Sequence, residues 1–220
     1  MNKNFLKLKG LLLMACMLLA LPISVQAQEL GEPLIEFKTA VLQQEGQDVG
    51  RTVTIFLGGY QQETDYIDFD CGNGVEEHEL APATIDASTG SWNGGTSITC
   101  NVTEEGLVRI WGDAANIAVI RFDGCYITDL KMQEMPNLYY LNLDHNLLHE
   151  LDLSNFPSLA AISVSDNPFD RKPLKIGGNK PKLMLLEIGQ TENLDQSFTL
   201  SHNRNQLRSQ NWFSHIDTNL

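Results

Sequence analysis

An apolar spacing that returns every 21 positions constrains the second half of this 220-residue chain more than any other feature. Segments that begin at Ile117, Leu138 and Leu159 all place apolar residues at their first, fourth, sixth and eleventh positions, with Cys or Asn at the ninth. A degenerate fourth copy begins at Leu183, 24 positions after the third, which implies a short insertion in the third coil. Such a period predicts a stack of coils in which each coil buries its apolar side chains against its neighbours.

The pattern L-x-x-L-x-L-x-x-N/C-x-L resembles the bacterial leucine-rich repeat. The L-x-x-L-x-L stretch predicts a strand in a parallel sheet, with the leucines pointing inward and the variable residues facing solvent. The second half of each coil also alternates, as in Ile127–Met132 and Leu148–Leu153, and this predicts extended segments rather than helices. Pro136 and Pro157, also 21 positions apart, are expected to shape the corner before the next leucine.

Residues 28–104 show no repeat and predict a small antiparallel β-sandwich. The candidate strands are Leu34–Val41, Thr52–Leu57, Asp65–Asp70, Val75–Leu80 and Ser97–Val102, with a turn at Gly72–Gly74 and a loop at Ala81–Gly95. Leu107–Trp111 is expected to begin the repeat region, and the module before it is expected to cap the open apolar end of the stack.

The segment Asp68–Gly74 resembles the hairpin of PKD-like sandwich modules, with an inserted residue and Asn73 where aspartate is usual. The overall order resembles exported, BspA-like leucine-rich-repeat surface proteins of Bacteroidetes. The fold class is therefore predicted as mainly β with little helix: an N-terminal antiparallel sandwich-like module followed by a short leucine-rich-repeat solenoid with parallel strands. The predicted domains are a signal peptide (1–27), the module (28–104), the solenoid (105–204) and a tail or cap (205–220), in which Trp212 and Phe213 are the only large apolar pair.

The first 27 residues resemble a cleavable secretory signal. Three lysines precede the apolar run Leu11–Leu21, and Val25-Gln26-Ala27 offers small residues for cleavage before Gln28. A lipoprotein alternative exists, because the residues before Cys16 loosely match a lipobox. Cleavage removes three lysines and no acids, so the formal net charge of −13 becomes −16. Such a field disfavours nucleic acid and anionic lipid as partners. The protein is expected at the cell surface, in the periplasm or secreted, as a monomer.

The predicted mature chain keeps three cysteines, so at least one stays unpaired. Cys71 and Cys100 both lie in the N-terminal module, and the sequence leaves open whether they form a disulfide. Cys125 occupies the Asn/Cys position of its repeat and is expected to be a buried structural thiol.

The variable residues of the predicted parallel strands are the candidate partner-binding surface, because leucine-rich repeats usually bind through that face. The candidates are Arg121, Asp123, Tyr140, Asn142, Asp144, Ser163 and Glu187. Tyr140 is the expected anchor, because aromatic residues and arginine dominate interface energetics. A further column of Val119, Tyr140, Ala161 and Leu185 is expected to face solvent, and Ser163→Ala is expected to be nearly silent. The alternative is that these residues merely solvate an exposed sheet.

Trp92, in a loop of small polar residues, is a possible glycan contact, and the alternative is that it folds back on the module. The acidic residues from Asp65 to Glu77 suggest calcium but lack the spacing of a known loop, and a solvated strand face explains them equally well. His145 and His149 lie in a turn, where a four-residue spacing does not bring them together.

No catalytic, cofactor or metal motif is present. Three functions are therefore weighed: a non-catalytic interaction protein that binds a protein or glycan, a scaffold whose N-terminal module binds polysaccharide, and a hydrolase of surface polymers.

Overall fold

A computed structural model describes residues 30–61, 64–86, 91–170, 174–177 and 180–189. The chain divides into two units, Met1–Gly31 and Glu32–Leu220, and the strands of the described residues lie in the second unit. The predicted signal peptide, the Cys16 lipobox and the tail with Trp212 and Phe213 lie outside the described residues.

The chain is mainly β, with antiparallel and mixed sheets, and a 3₁₀ turn at Ala114–Asn116. The strands are β1 (Ile35–Thr39), β2 (Leu42–Gln44), β3 (Gln47–Val49), β4 (Arg51–Gly59), β5 (Asp65–Asp70), β6 (Val75–Leu80), β7 (Ala83–Asp86), β8 (Ser91–Gly94), β9 (Thr96–Val102), β10 (Leu107–Trp111), β11 (Ile117–Arg121), β12 (Ile127–Met132), β13 (Tyr140–Asn142), β14 (Ala161–Ser163) and β15 (Leu185–Glu187). The five predicted N-terminal strands are confirmed as β1, β4, β5, β6 and β9. Two hairpins, β2–β3 and β7–β8, were not predicted.

Five antiparallel strands form one sheet in the order β12-β1-β10-β5-β6. Its strands β1, β5 and β10 alternate buried residues with more exposed ones, as β5 does with buried Ile67 and Phe69. The expectation that Leu107–Trp111 begins the repeats is wrong, because β10 lies between β1 and β5 in this sheet. The second half of the first repeat also belongs here, since β12 pairs with β1.

The second sheet has six strands in the order β15-β14-β13-β11-β4-β9. Its four C-terminal strands are parallel, and their register places Val119 opposite Tyr140, Tyr140 opposite Ala161, and Ala161 opposite Leu185. These partners are 21, 21 and 24 positions apart, which is the spacing of the sequence repeat. On the other side of β11, the N-terminal strand β4 pairs antiparallel with it, so the first strand of the parallel set is covered.

One apolar core fills the space between the two sheets. Phe37 of β1 packs against Phe122, which follows β11, with ring centroids 5.2 Å apart. The inward leucines of the repeats, such as Leu141 and Leu143, are fully buried in this same cluster. A disulfide between Cys71, directly after β5, and Cys100 of β9 connects the two sheets covalently. The pairing that the sequence left open is therefore formed.

The recurrence of Asn or Cys at the ninth position of the repeat is explained by hydrogen bonds at the turns after β11, β13 and β14. Asn146 donates from Nδ2 to the carbonyls of Phe122 and Leu143 at 2.8 and 2.9 Å, and its Oδ1 accepts from the Ile127 amide at 2.9 Å. Asn167 makes the corresponding bonds one coil later. In the first coil, Cys125 lies 3.4 Å from the carbonyl of Thr54 in β4. Each such side chain therefore joins its own turn to the preceding strand or turn.

Candidate functional site

The column of Val119, Tyr140, Ala161 and Leu185 does not face solvent, and the expectation that it does is wrong. All four side chains are buried in a second apolar cluster, on the outer side of the mixed sheet. The hairpin β7–β8 lies on this column, with Ala83 and Trp92 packed against it. Tyr140 is only 4% exposed, and burial raises the pKa of its hydroxyl. It cannot serve as the anchor for a partner unless the hairpin moves.

Trp92 is folded back on the sheet and is half-buried. Its ring lies 5.5 Å from that of Phe56 and 5.9 Å from that of Tyr140, and the guanidinium carbon of Arg121 lies 4.8 Å above it. Trp92 therefore packs on its own module through Phe56, as the alternative expected. It also contacts two residues of the repeats, Tyr140 and Arg121. The two surfaces that the sequence suggested separately meet at this indole.

The remaining candidates form a polar strip beside the buried column. We call it the recognition face and define it by Arg121, Asp123, Asn142, Asp144, Ser163, Glu187 and the flanking Trp92. Arg121 binds Asp123 at 3.2 Å, and both side chains are about one-third exposed. Glu187 is exposed, and Asn142 is half-buried. Strand register brings these residues side by side, because equivalent repeat positions stack across neighbouring strands.

Asp144 is held at the centre of the recognition face by its neighbours. Its carboxylate accepts hydrogen bonds from the Ser165 amide at 2.6 Å and from Asn142 Nδ2 at 3.2 Å. The Ser163 hydroxyl lies 2.7 Å from the same carboxylate and 3.1 Å from that of Glu187. Partial burial raises the pKa of Asp144, and the negative charges of Asp123 and Glu187 raise it further, against the opposing hydrogen bonds from serines.

Ser163 is only 2% exposed, so the premise that it faces solvent is wrong, and we now expect Ser163→Ala to destabilise the protein. The Ser163 hydroxyl has one proton to donate, and the carboxylates of Asp144 and Glu187 both lie within hydrogen-bond distance of it. Removing the hydroxyl would leave Asp144 without one of its donors and would bring no compensating contact.

His145 joins three consecutive coils at the rim of the face. Its Nδ1 lies 2.9 Å from Asp123 and its Nε2 lies 3.2 Å from Asp166, and the side chain is 64% exposed. The hydrogen bond to Asp123 raises the pKa of the imidazole, as do the charges of both aspartates. His149 is not part of this group, because it pairs with Asp170.

Two of the acidic N-terminal residues, Asp65 and Asp70, have structural partners. Asp70 accepts from the amides of Gly72 and Gly74 and so forms the predicted turn, while Asp65 accepts from Asn116 Nδ2 at 2.7 Å. Within the described ranges, no three His, Cys, Asp or Glu side chains are placed to share a metal ion. Burial raises the pKa of Cys125 to about 12, so its thiol stays protonated and is a poor nucleophile.

The covering hairpin is the feature that the sequence interpretation missed. The signal for it was the presence of Val119, Tyr140 and Leu185 at variable positions of the repeat, where an exposed strand would carry polar side chains. A column of three large apolar residues on a nominally solvent-facing sheet indicates a covering element.

Comparison with known proteins identifies no relative: neither a family model, nor a curated protein, nor a solved structure matches the chain. In the described part of the chain, no helix has the length and apolar character needed to cross a bilayer.

Proposed function

We propose that this chain is an exported, non-catalytic interaction protein that binds a protein or glycan partner through the recognition face. The observation that carries the proposal is that the polar side chains of this face are held in place before any partner arrives. Asp144 is fixed by Ser163, Ser165 and Asn142, and Arg121 lies between Asp123 and the Trp92 ring. A preorganised surface loses little side-chain entropy on binding, which favours affinity.

We further propose that the coils that contribute the parallel strands β11, β13, β14 and β15 form a leucine-rich-repeat solenoid, which would be the scaffold for this face. Two features support this interpretation. The parallel strands pair at the repeat spacing, and Asn146 and Asn167 make equivalent hydrogen bonds in successive turns. The sequence resemblance to bacterial leucine-rich repeats is consistent with both.

The charge of the recognition face favours a partner with basic or hydrogen-bond-donating groups. Asp123, Asp144 and Glu187 contribute three carboxylates, and Arg121 is the single permanent cation among the defining residues. Complementary charge raises association rates and makes them sensitive to salt. Trp92 would supply the apolar contact, because its ring is half-buried rather than fully covered.

The experiment is a binding screen of the mature chain, from Gln28 onward, against matrix proteins and glycans at low and high salt. Glu187→Gln and Arg121→Ala should each weaken a hit, because both residues are accessible and lie on the face. Glu79→Gln changes another exposed glutamate, in β6 of the other sheet; it is the matched control and should leave binding unchanged. A hit that Glu187→Gln and Arg121→Ala both leave intact would place the partner elsewhere on the molecule.

The scaffold alternative, in which the N-terminal module binds polysaccharide through Trp92, predicts a different pattern. Trp92→Ala does not distinguish the two functions, because Trp92 packs on Arg121 and Tyr140 of the repeats. A polysaccharide hit that depends on Trp92 but not on Glu187 or Asp144 would favour the scaffold.

The hydrolase alternative has one observation in its favour, namely that the carboxylates of Asp144 and Glu187 converge on the Ser163 hydroxyl. A half-buried acid with a raised pKa beside an exposed carboxylate is the combination that glycoside hydrolysis uses. Release of reducing sugar from a polysaccharide panel, abolished in Asp144→Asn, would establish this activity in place of simple binding.

A further inference from the structure

An open groove of about 620 Å³ lies where β4 begins and β9 ends, and it shares no residue with the recognition face. Arg51 and Thr52 line it from β4, and their strand partner Asn101 lines it from β9. Tyr126 and Leu42 also line the groove and are 50% and 47% exposed. One side of the groove is therefore an apolar surface that is accessible to solvent.

Arg51 is the cation of the groove, and it has no carboxylate partner among the described residues. Its guanidinium carbon lies 4.0 Å above the Tyr126 ring, and its buried Nε has no hydrogen-bond acceptor. By contrast, Arg109 and Arg121 each bind a carboxylate. An arginine held by an aromatic ring instead of a carboxylate keeps its positive charge available to a ligand.

The neutral groups of the groove are suited to hydroxyls. Thr52 Oγ1 donates to Asn101 Oδ1 at 2.8 Å, which leaves the lone pairs of Thr52 and the amide hydrogens of Asn101 for other contacts. Tyr126 adds a ring and a phenol. One cation, several neutral hydrogen-bonding groups and an aromatic wall match a molecule with one carboxylate, several hydroxyls and an apolar ring face.

We propose that this groove binds a free acidic monosaccharide of the uronate type. The carboxylate pairs with Arg51, the ring hydroxyls bond to Thr52 and Asn101, and the sugar ring packs against Tyr126. An acidic side chain of a peptide could pair with the Arg51 guanidinium, but it has no hydroxyls to bond to the Asn101 amide and the Thr52 hydroxyl. The sugar therefore fits the lining of the groove better. A polyanion is disfavoured by the acidic character of the whole chain.

The test is calorimetric titration of the mature chain with glucuronate, with glucose as the neutral probe and Gly-Glu-Gly as the peptide probe. Glucuronate should bind in the millimolar range, and glucose and the tripeptide at least tenfold more weakly. Arg51→Gln should weaken glucuronate binding at least tenfold, as expected for loss of a charge-assisted pair. Arg109→Gln removes the same charge from the other sheet and should leave binding unchanged.

Asn101→Asp provides a second variant that keeps the acceptor for Thr52 and places a negative charge in the groove. It should abolish glucuronate binding even if Arg51→Gln fails to fold, which thermal melting monitors. Equal binding of glucose overturns the role of the carboxylate, and equal binding of Gly-Glu-Gly overturns the sugar. No glucuronate binding at millimolar concentration, or binding unchanged in Asn101→Asp, overturns the proposal as a whole. None of these results depends on the recognition face.

Discussion

The replacement of Asn146 by alanine tests whether side chains at the turns hold the coils together. Asn146 is 3% exposed. Its side chain donates hydrogen bonds to the carbonyls of Phe122 and Leu143 and accepts one from the Ile127 backbone amide. Alanine leaves the Ile127 amide and the Phe122 carbonyl without this partner in a region that water does not reach. Each buried polar group that loses its partner costs about 1–3 kcal/mol. We therefore expect Asn146→Ala to lower the free energy of unfolding by about 2–5 kcal/mol.

The assay is urea unfolding of residues 28–220, followed by circular dichroism, with thermal melting as a second measurement. For a chain of this size each kcal/mol corresponds to a shift of about 2–4 °C in the melting temperature. Asn73→Ala is the control, because Asn73 is exposed in the Gly72–Gly74 turn, and we expect it to change stability by less than about 0.5 kcal/mol. Equal effects of the two substitutions would refute the assignment of Asn146 as a tie between coils.

Three further predictions concern the core, the rim and the disulfide. Leu143→Ala should destabilise the protein by about 2–5 kcal/mol because Leu143 is fully buried, whereas Leu147→Ala, at 39% exposure, should be mild; comparable urea midpoints would mean that the repeat register is wrong. The pKa of His145 is raised in the folded protein, so the protonated imidazole stabilises the fold; this stabilisation is complete below the unfolded pKa of about 6.5 and is lost as pH rises through the folded pKa. His145→Ala should therefore lower the melting temperature more at about pH 5 than at about pH 8.5. A difference in melting temperature that does not depend on pH would contradict this. Reduction of the Cys71–Cys100 disulfide should cost about 2–4 kcal/mol, measured as the shift in urea midpoint with and without reductant, and an unchanged midpoint would argue against a stabilising bridge between the sheets.

The meeting of Trp92 with Arg121 changes how the functional hypotheses are tested. A binding site on the N-terminal module and a binding site on the repeats would ordinarily be separated by mutating one residue of each. Here both residues belong to one packed group, so a loss of binding in Trp92→Ala has two explanations. Glu187 and Asp144 carry the distinction instead, because both carboxylates accept from Ser163 of the repeats.

Local pattern predicted much of the secondary structure. The N-terminal strands alternate polar and apolar residues, and the period of the repeats predicted which residues of the parallel strands would lie opposite one another. The burial of Cys125 followed from its place in the repeat. These features depend on side-chain periodicity and on neighbours within one coil, both of which a single sequence contains.

Long-range contacts decided the rest. The sequence by itself determined that the chain is mainly β, that Leu141 and Leu143 point inward, and that the repeats pair at the observed spacing. Only the tertiary structure showed that β10 and β12 join a sheet with β1, that β4 covers β11, and that β7–β8 buries Tyr140. The physical reason is that periodicity identifies which face of a strand is apolar but does not identify the element that covers it. That choice depends on pairings between residues far apart in the chain, and no local pattern contains them.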